Sequence, residues 1–166
     1  LSHPGAPAAQ GCGCIVSQEV AKMADAVEAL WKIADQAEAT AWEQAGALQG
    51  SGLDANDGFI HTSLPEMCRT VAKLFFTGRE DLCILKINVA GLEGETAFAS
   101  IPSAQEDDGK AGVGGEGQPR TLVKMSPEGC GHIFREASDP VPWALVEKYP
   151  LPLGEDGVHV FPENCA

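Results

Sequence analysis

Apolar residues recur at helical spacing early in the chain. Val20, Met23, Ala24 and Val27 share one face, with Ser17 placed to cap it, and predict a short amphipathic helix from Ser17 to Glu28. The stripe continues through Leu30, Trp31, Ala34, Ala37, Ala41 and Ala45, so periodicity alone predicts one long helix to Gly46. Against this, Asp35 with Glu38 has the spacing of a capping box, which favours a strand over Leu30 to Ala34 and a new helix after it. Gly46 to Gly58 is dense in Gly, Asp and Asn and reads as loop. Phe59 to His61 is a brief extended piece.

Ser63 and Glu66 repeat the capping spacing. Cys68, Val71, Ala72 and Phe75 then line one face until Gly78 stops the helix. Leu82 to Val89 is apolar, then alternates, and predicts a core strand. Thr96 to Ile101, Thr121 to Met125, His132 to Phe134 and Val158 to Phe161 are shorter strand candidates, giving a sheet of five or more strands. Residues 102–119 carry Glu106, Asp107, Asp108 and the glycine-rich run Gly112 to Gly117 without any hydrophobic period. They are expected to be a flexible insertion without a catalytic role. The organisation expected is an arm with an amphipathic helix over 1–29, one α+β domain over 30–161 and a tail over 162–166.

Composition bounds the function. With 44% hydrophobic and 21% charged residues, the 166-residue chain has the balance of one ordinary globular domain. Its net charge of -13 opposes phosphate backbones, so direct nucleic-acid binding is not expected. No apolar run is long enough for a transmembrane segment. The six cysteines are too sparse for a disulfide scaffold, and Cys68 and Cys83 sit in apolar runs that suit buried thiols. A soluble protein of a reducing compartment is expected. Leu1 in place of methionine suggests processing, which leaves open the cytoplasm or an organelle, a plastid after loss of a targeting peptide included.

Candidate chemistry is thin. Cys12 and Cys14 lack a second ligand pair, so no metal site is expected. The Gly112–Gly117 run lacks the Gly-Lys-Ser/Thr ending and following helix of a phosphate loop. The segment Gly58-Phe59-Ile60-His61-Thr62-Ser63 places an imidazole and two hydroxyls where an extended piece meets a helix start, with unpaired N–H groups nearby. Either a ligand pocket or a helix cap beside a satisfied histidine fits it equally.

The strings Leu30-Trp31-Lys32-Ile33-Ala34, Gly58-Phe59-Ile60-His61-Thr62-Ser63, Gly131-His132-Ile133-Phe134 and Tyr149-Pro150-Leu151-Pro152-Leu153 resemble, in that order, the domain of unknown function numbered 952. Glu136 to Lys148 intervenes as an insertion, and Cys130-Gly131 stands where the family has Phe-Pro. The resemblance implies an α+β fold like that of the ADP-ribosyltransferases, with split antiparallel sheets, short flanking helices and an N-terminal helical extension outside the matched region. It also implies a cleft for NAD, in which a basic first-strand residue holds the ribose; Lys32 occupies that position. Glu147, Glu155 and Glu163 all lie in unmatched surroundings, so no catalytic glutamate is assigned.

The candidate ligand-binding residues are therefore His61, Ser63, His132 and Lys32, with Tyr149 as a surface for a flat ligand. The function expected is binding of a nucleotide-like small ligand, with NAD as the possible cofactor and ADP-ribosyl transfer as its enzymatic version. The alternative is a non-catalytic docking subunit of a larger complex, organellar or photosynthetic, using the N-terminal helix and Trp143.

Overall fold

The computed structural model describes residues 27–165. The N-terminal arm, the Cys12-Cys14 pair and all of the expected helix but Val27 and Glu28 lie outside the described residues, as does Ala166. The order is β1 (Ala29–Asp35), α1 (Gln36–Ala45), β2 (Ala47–Leu48), α2 (Gly52–Asp57), β3 (Ile60–Ser63), α3 (Pro65–Phe75), β4 (Leu82–Asn88), β5 (Thr96–Ser100), β6 (Thr121–Met125), β7 (Cys130–Phe134), β8 (Val141–Pro142) and β9 (Val146–Pro150).

One seven-stranded sheet runs β5-β6-β7-β3-β1-β4-β9, antiparallel throughout except for the parallel β5–β6 pair, and β2 pairs with β8 beside it. This is an α+β architecture. Alternation along the central strand β1 buries both faces. Leu30 and Ala34 join Leu85, Ile87, Val123 and Ile133 in one core, closed by Trp42 of α1, Leu48 and Val141. Trp31 and Ile33 join Ile84 in a second core, closed by Cys68 and Ala72 of α3 and by Leu151 and Cys165 of the C-terminal segment. Each fully buried large side chain contributes about 1.5–3 kcal/mol, so β1 and β4 carry much of the stability. Burial also pushes the Cys83 thiol up to about 11, away from reactive thiolate chemistry.

The sheet is continuous but thin at one seam. β1 and β4 share seven register pairs, whereas β1 and β3 share only Trp31↔Ser63. The two split sheets expected from the family resemblance are thus one sheet with a weak joint.

Several local expectations are corrected. The break after the first strand is where expected, yet Asp35 makes no side-chain cap, and its carboxylate binds the Arg79 guanidinium instead. Ser63 ends β3 and does not cap α3: Leu64 is the N-cap and Pro65 supplies the first helical position, where a missing N–H costs nothing. Gly46 to Gly58 is not all loop, since it holds β2 and α2, and a capping box links Ser51 with Asp54. The expected Val158–Phe161 strand is absent apart from the isolated Leu153↔His159 bridge. The Glu136–Lys148 segment contains β8 and the first three residues of edge strand β9, and its Trp143 is half-buried against the first core.

Candidate functional site

His61 and His132 face each other directly across the antiparallel β3–β7 pair. Side chains opposite one another on adjacent strands share a face, so register alone brings these two distant imidazoles together. Their ring centroids are 5.4 Å apart. Phe59 joins them, stacked on His132 at 4.0 Å and tilted against His61 at 4.6 Å. His61 keeps 32% of its side-chain surface exposed while His132 keeps 3%, so one imidazole stands at the rim and the other behind it.

A carboxylate holds each ring through Nδ1. His61 Nδ1 lies 2.7 Å from Asp54 Oδ1, and its Nε2 lies 3.1 Å from Asp57 Oδ2. Asp54 comes from α2, where the Ser51 capping box fixes it, and its carboxylate accepts four hydrogen bonds. Oδ1 takes the backbone N–H of His61 at 2.9 Å as well as the ring, and Oδ2 takes Ser51 N–H at 2.7 Å and Lys32 Nζ at 2.8 Å. Burial would raise this carboxyl, but the His61 hydrogen bond and the Lys32 charge outweigh it and hold Asp54 well below the carboxylate range. Lys32 also donates to the His61 carbonyl at 3.3 Å. The lysine and Asp54 thus fill the seam where β1 and β3 stop pairing, and Lys32 is a neutralised structural cation rather than a charge free to seek phosphate.

The second carboxylate comes from residues 102–119, the stretch expected to be a flexible insertion. Asp107 has no exposed side-chain surface. Its Oδ2 accepts His132 Nδ1–H at 2.6 Å, and its Oδ1 accepts Lys124 Nζ at 2.8 Å and the backbone N–H of Gly109 at 3.0 Å. Those donors overcome burial and lower the Asp107 pKa. Burial lowers the His132 pKa more than Asp107 raises it, so the ring is neutral near pH 7, with its proton on Nδ1 and Nε2 left as an acceptor. Gly109 sits at φ 68°, and a Cβ there would stand 2.8 Å from the Asp57 carbonyl oxygen, so only glycine lets the segment approach α2 this closely.

The structure therefore gathers Lys32, His61 and His132, with Ser63 buried two residues beyond His61 on the same strand face. It does not bring Tyr149 to them. Tyr149 lies on β9, three strands from β3, tilted against Trp31, with its hydroxyl donating to Glu147 and accepting from Asn164 at 2.8 Å. Asp54, Asp57, Phe59, Asp107 and Lys124 complete the cluster and escaped the sequence reading. The Ser51-x-x-Asp54 spacing was a usable signal for Asp54; nothing local marks Asp107.

Asp54 and Phe59 also line a cleft of about 470 Å³, shared with Leu48, Ile60, Ile133 and Arg135. Arg135 at its wall is held by Thr121 and Asp139, and is not a free cation. Among the described residues, no group of three or more His, Cys, Asp or Glu is arranged to hold a metal ion, and no helix is long and apolar enough to cross a membrane.

Comparison with known proteins gives the same fold elsewhere. The model of a family described as "Protein of unknown function (DUF952)" matches residues 33–146. The X-ray structure of protein CC0527 from Caulobacter crescentus is 24% identical, covers 82% of this chain and 97% of its own, and superposes with a TM-score of 0.53. A double mutant of the same protein gives 23%, the same coverages and 0.54. Its solution NMR structure gives 24%, coverages of 80% and 91%, and 0.50. At such identity the likeness carries the fold alone. No curated protein matches the chain.

Proposed function

The chain belongs to the DUF952 family of proteins of unknown function, and on that premise we propose that it binds a nucleotide-like small molecule at the β3–β7 face, against Phe59, His61 and His132. The observation that carries this reading is the cross-strand imidazole pair, each ring held through Nδ1 by a buried carboxylate and both resting on one phenyl ring. Histidines that only completed a polar network would not need a shared aromatic floor. Oriented imidazoles beside a phenyl ring supply what a flat, polar ligand needs, namely a stacking surface and fixed hydrogen-bonding groups. The cleft of about 470 Å³ at Asp54 and Phe59 is not lined by either imidazole, so the reading rests on the paired rings and their aromatic neighbour.

Calorimetric titration with ADP-ribose and with NAD tests the reading. Saturable binding that is lost in both His61→Ala and His132→Ala, with their folds intact by near-ultraviolet circular dichroism, supports it. Absence of heat at millimolar ligand overturns it, as does undiminished binding by both variants.

ADP-ribosyl transfer from NAD is the narrower form of the same proposal. It asks for a glutamate at the site, whereas the acids touching the two imidazoles are Asp54, Asp57 and Asp107, two of them already saturated with donors. Binding without transfer is the better-supported version. A docking-subunit role is the second reading, favoured by the adjacent exposed side chains Leu74 and Phe75 at the end of α3. A chain that runs only as a free monomer on native purification contradicts it.

A further inference from the structure

Asp107 resembles a bound ligand more than a structural residue. Its donors belong to the rigid sheet: Lys124 and His132 are register partners on adjacent strands β6 and β7. The acceptor belongs to a long connection whose tip, Gln105 to Gly112, contains no large apolar side chain. The fastening of that tip to the sheet converges on one ammonium and one imidazole. Lys124 Nζ donates to Asp107 Oδ1 at 2.8 Å, to Asp108 Oδ1 at 3.3 Å and to the Lys110 carbonyl at 2.7 Å, while His132 Nδ1–H donates to Asp107 Oδ2. Releasing such a tip exposes polar groups and leaves both hydrophobic cores intact. Beneath it lies an aromatic floor, with Phe59 stacked on His132 and the Phe134 ring centroid 4.7 Å from Lys124 Nζ.

We propose that Lys124 and His132 form a subsite for an oxyanion, phosphate or carboxylate, which Asp107 fills in the closed molecule and vacates when a ligand's own anion takes the same donors. The inference rests on the ligand-binding reading above and adds the chemical class of the ligand's charged group and the device that guards the site. A carboxylate tethered in cis competes at a high effective concentration, so only an anion that also gains contacts elsewhere displaces it. This fits an acidic chain: with an overall charge of -13, anions are excluded unless a local pair of donors selects them.

Inorganic pyrophosphate and malonate serve as probes of the two anion chemistries. Calorimetry on Asp107→Ala is expected to give at least tenfold tighter binding than wild type for one of them, and the probe that gains names the ligand group. The gain is expected to disappear in Asp107→Ala/Lys124→Gln. Equal affinity of wild type and Asp107→Ala for both probes overturns the proposal, as does a gain that survives loss of Lys124. Should Asp107→Ala not fold, Asp107→Asn replaces it, together with hydrogen exchange on the wild type. There, saturating probe is expected to speed exchange of the Gly109 and Lys110 amides, and unchanged protection overturns the proposal. ADP-ribose binding that depends on His61 while neither probe responds to Asp107 defeats this inference alone. A probe response without any nucleotide binding defeats only the earlier reading.

Discussion

Replacing Asp54 by Asn isolates the part of the site that the fold depends on most. The wild-type carboxylate is buried and accepts four hydrogen bonds, from Ser51 N, His61 N, His61 Nδ1 and Lys32 Nζ. An amide of the same shape has one acceptor oxygen, and its NH2 must face either the lysine ammonium or the donors on the other side. Removing the charge leaves Lys32 buried without its counterion, a loss of about 3–5 kcal/mol. For a chain of this length about 2–4 °C of melting temperature accompanies each kcal/mol, so the midpoint should fall by ~6–20 °C. Urea unfolding followed by tryptophan fluorescence reads the loss directly, as a lower midpoint at an unchanged slope. Lys32→Met combined with Asp54→Leu should recover most of the stability, since an apolar pair of similar volume replaces a buried ion pair at little cost. An Asp54→Asn variant within about 1 kcal/mol of wild type would refute the claim that this carboxylate seals the β1–β3 seam.

Three further outcomes follow from the same geometry. Gly109→Ala must move the Asp107 segment off α2, because its Cβ meets the Asp57 carbonyl at 2.8 Å; faster hydrogen exchange at Gly109 and Lys110 is expected, and wild-type protection contradicts it. Phe59→Leu keeps the apolar volume but removes the aromatic contacts with both imidazoles, a cost of about 1 kcal/mol by urea unfolding together with increased reactivity of His132 towards diethyl pyrocarbonate; an unreactive His132 contradicts it. Acidification should destabilise the fold. The His132 and Asp107 pKa values lie below their ordinary values in the folded chain, so the unfolded chain takes up protons first and stability falls as pH falls. The His132 part is intact above its ordinary value of 6.5 and is lost as pH falls through the lower folded value; the Asp107 part follows below 3.8. A urea midpoint that does not fall below pH 6.5 in wild type, or that falls equally in His132→Ala, contradicts the assignment.

How much of this was legible depended on whether a residue's role is set by near neighbours. α3 and β4 carry their periodicity in the chain itself, because each buries a regular face. β1 does not: its residues continue a helical stripe, and the strand shows only through the Asp35–Glu38 spacing and the family resemblance, while the stripe residues Ala37, Ala41 and Ala45 of α1 face solvent and Ala39 and Trp42 are buried instead. The imidazole pair needed only the right strand pairing, which a single sequence does not print but a motif resemblance suggested. Asp54 is obscured because glycines at 46, 50, 52 and 58 outweigh the Ser51-x-x-Asp54 spacing, so a six-residue helix reads as loop. Asp107 was illegible for a different reason. Its partners are Lys124 and His132, contacts that no local pattern encodes, and a polar, glycine-rich stretch looks the same whether or not one of its side chains is locked into a sheet. Edge strand β9 reads as Val-Glu-Lys-Tyr-Pro, mostly exposed and without apolar alternation, so nothing local sets Tyr149 at the far side of the sheet, and only the motif resemblance and its flat ring point it to a ligand.

The account turns on His61 and His132 acting as one surface for a ligand. Side-chain 15N resonances of the two imidazoles, followed while ADP-ribose is titrated into the full chain, test this most directly. The account predicts that both rings shift together along one saturable curve. Binding that leaves either ring unmoved, or no binding at millimolar ligand, contradicts it.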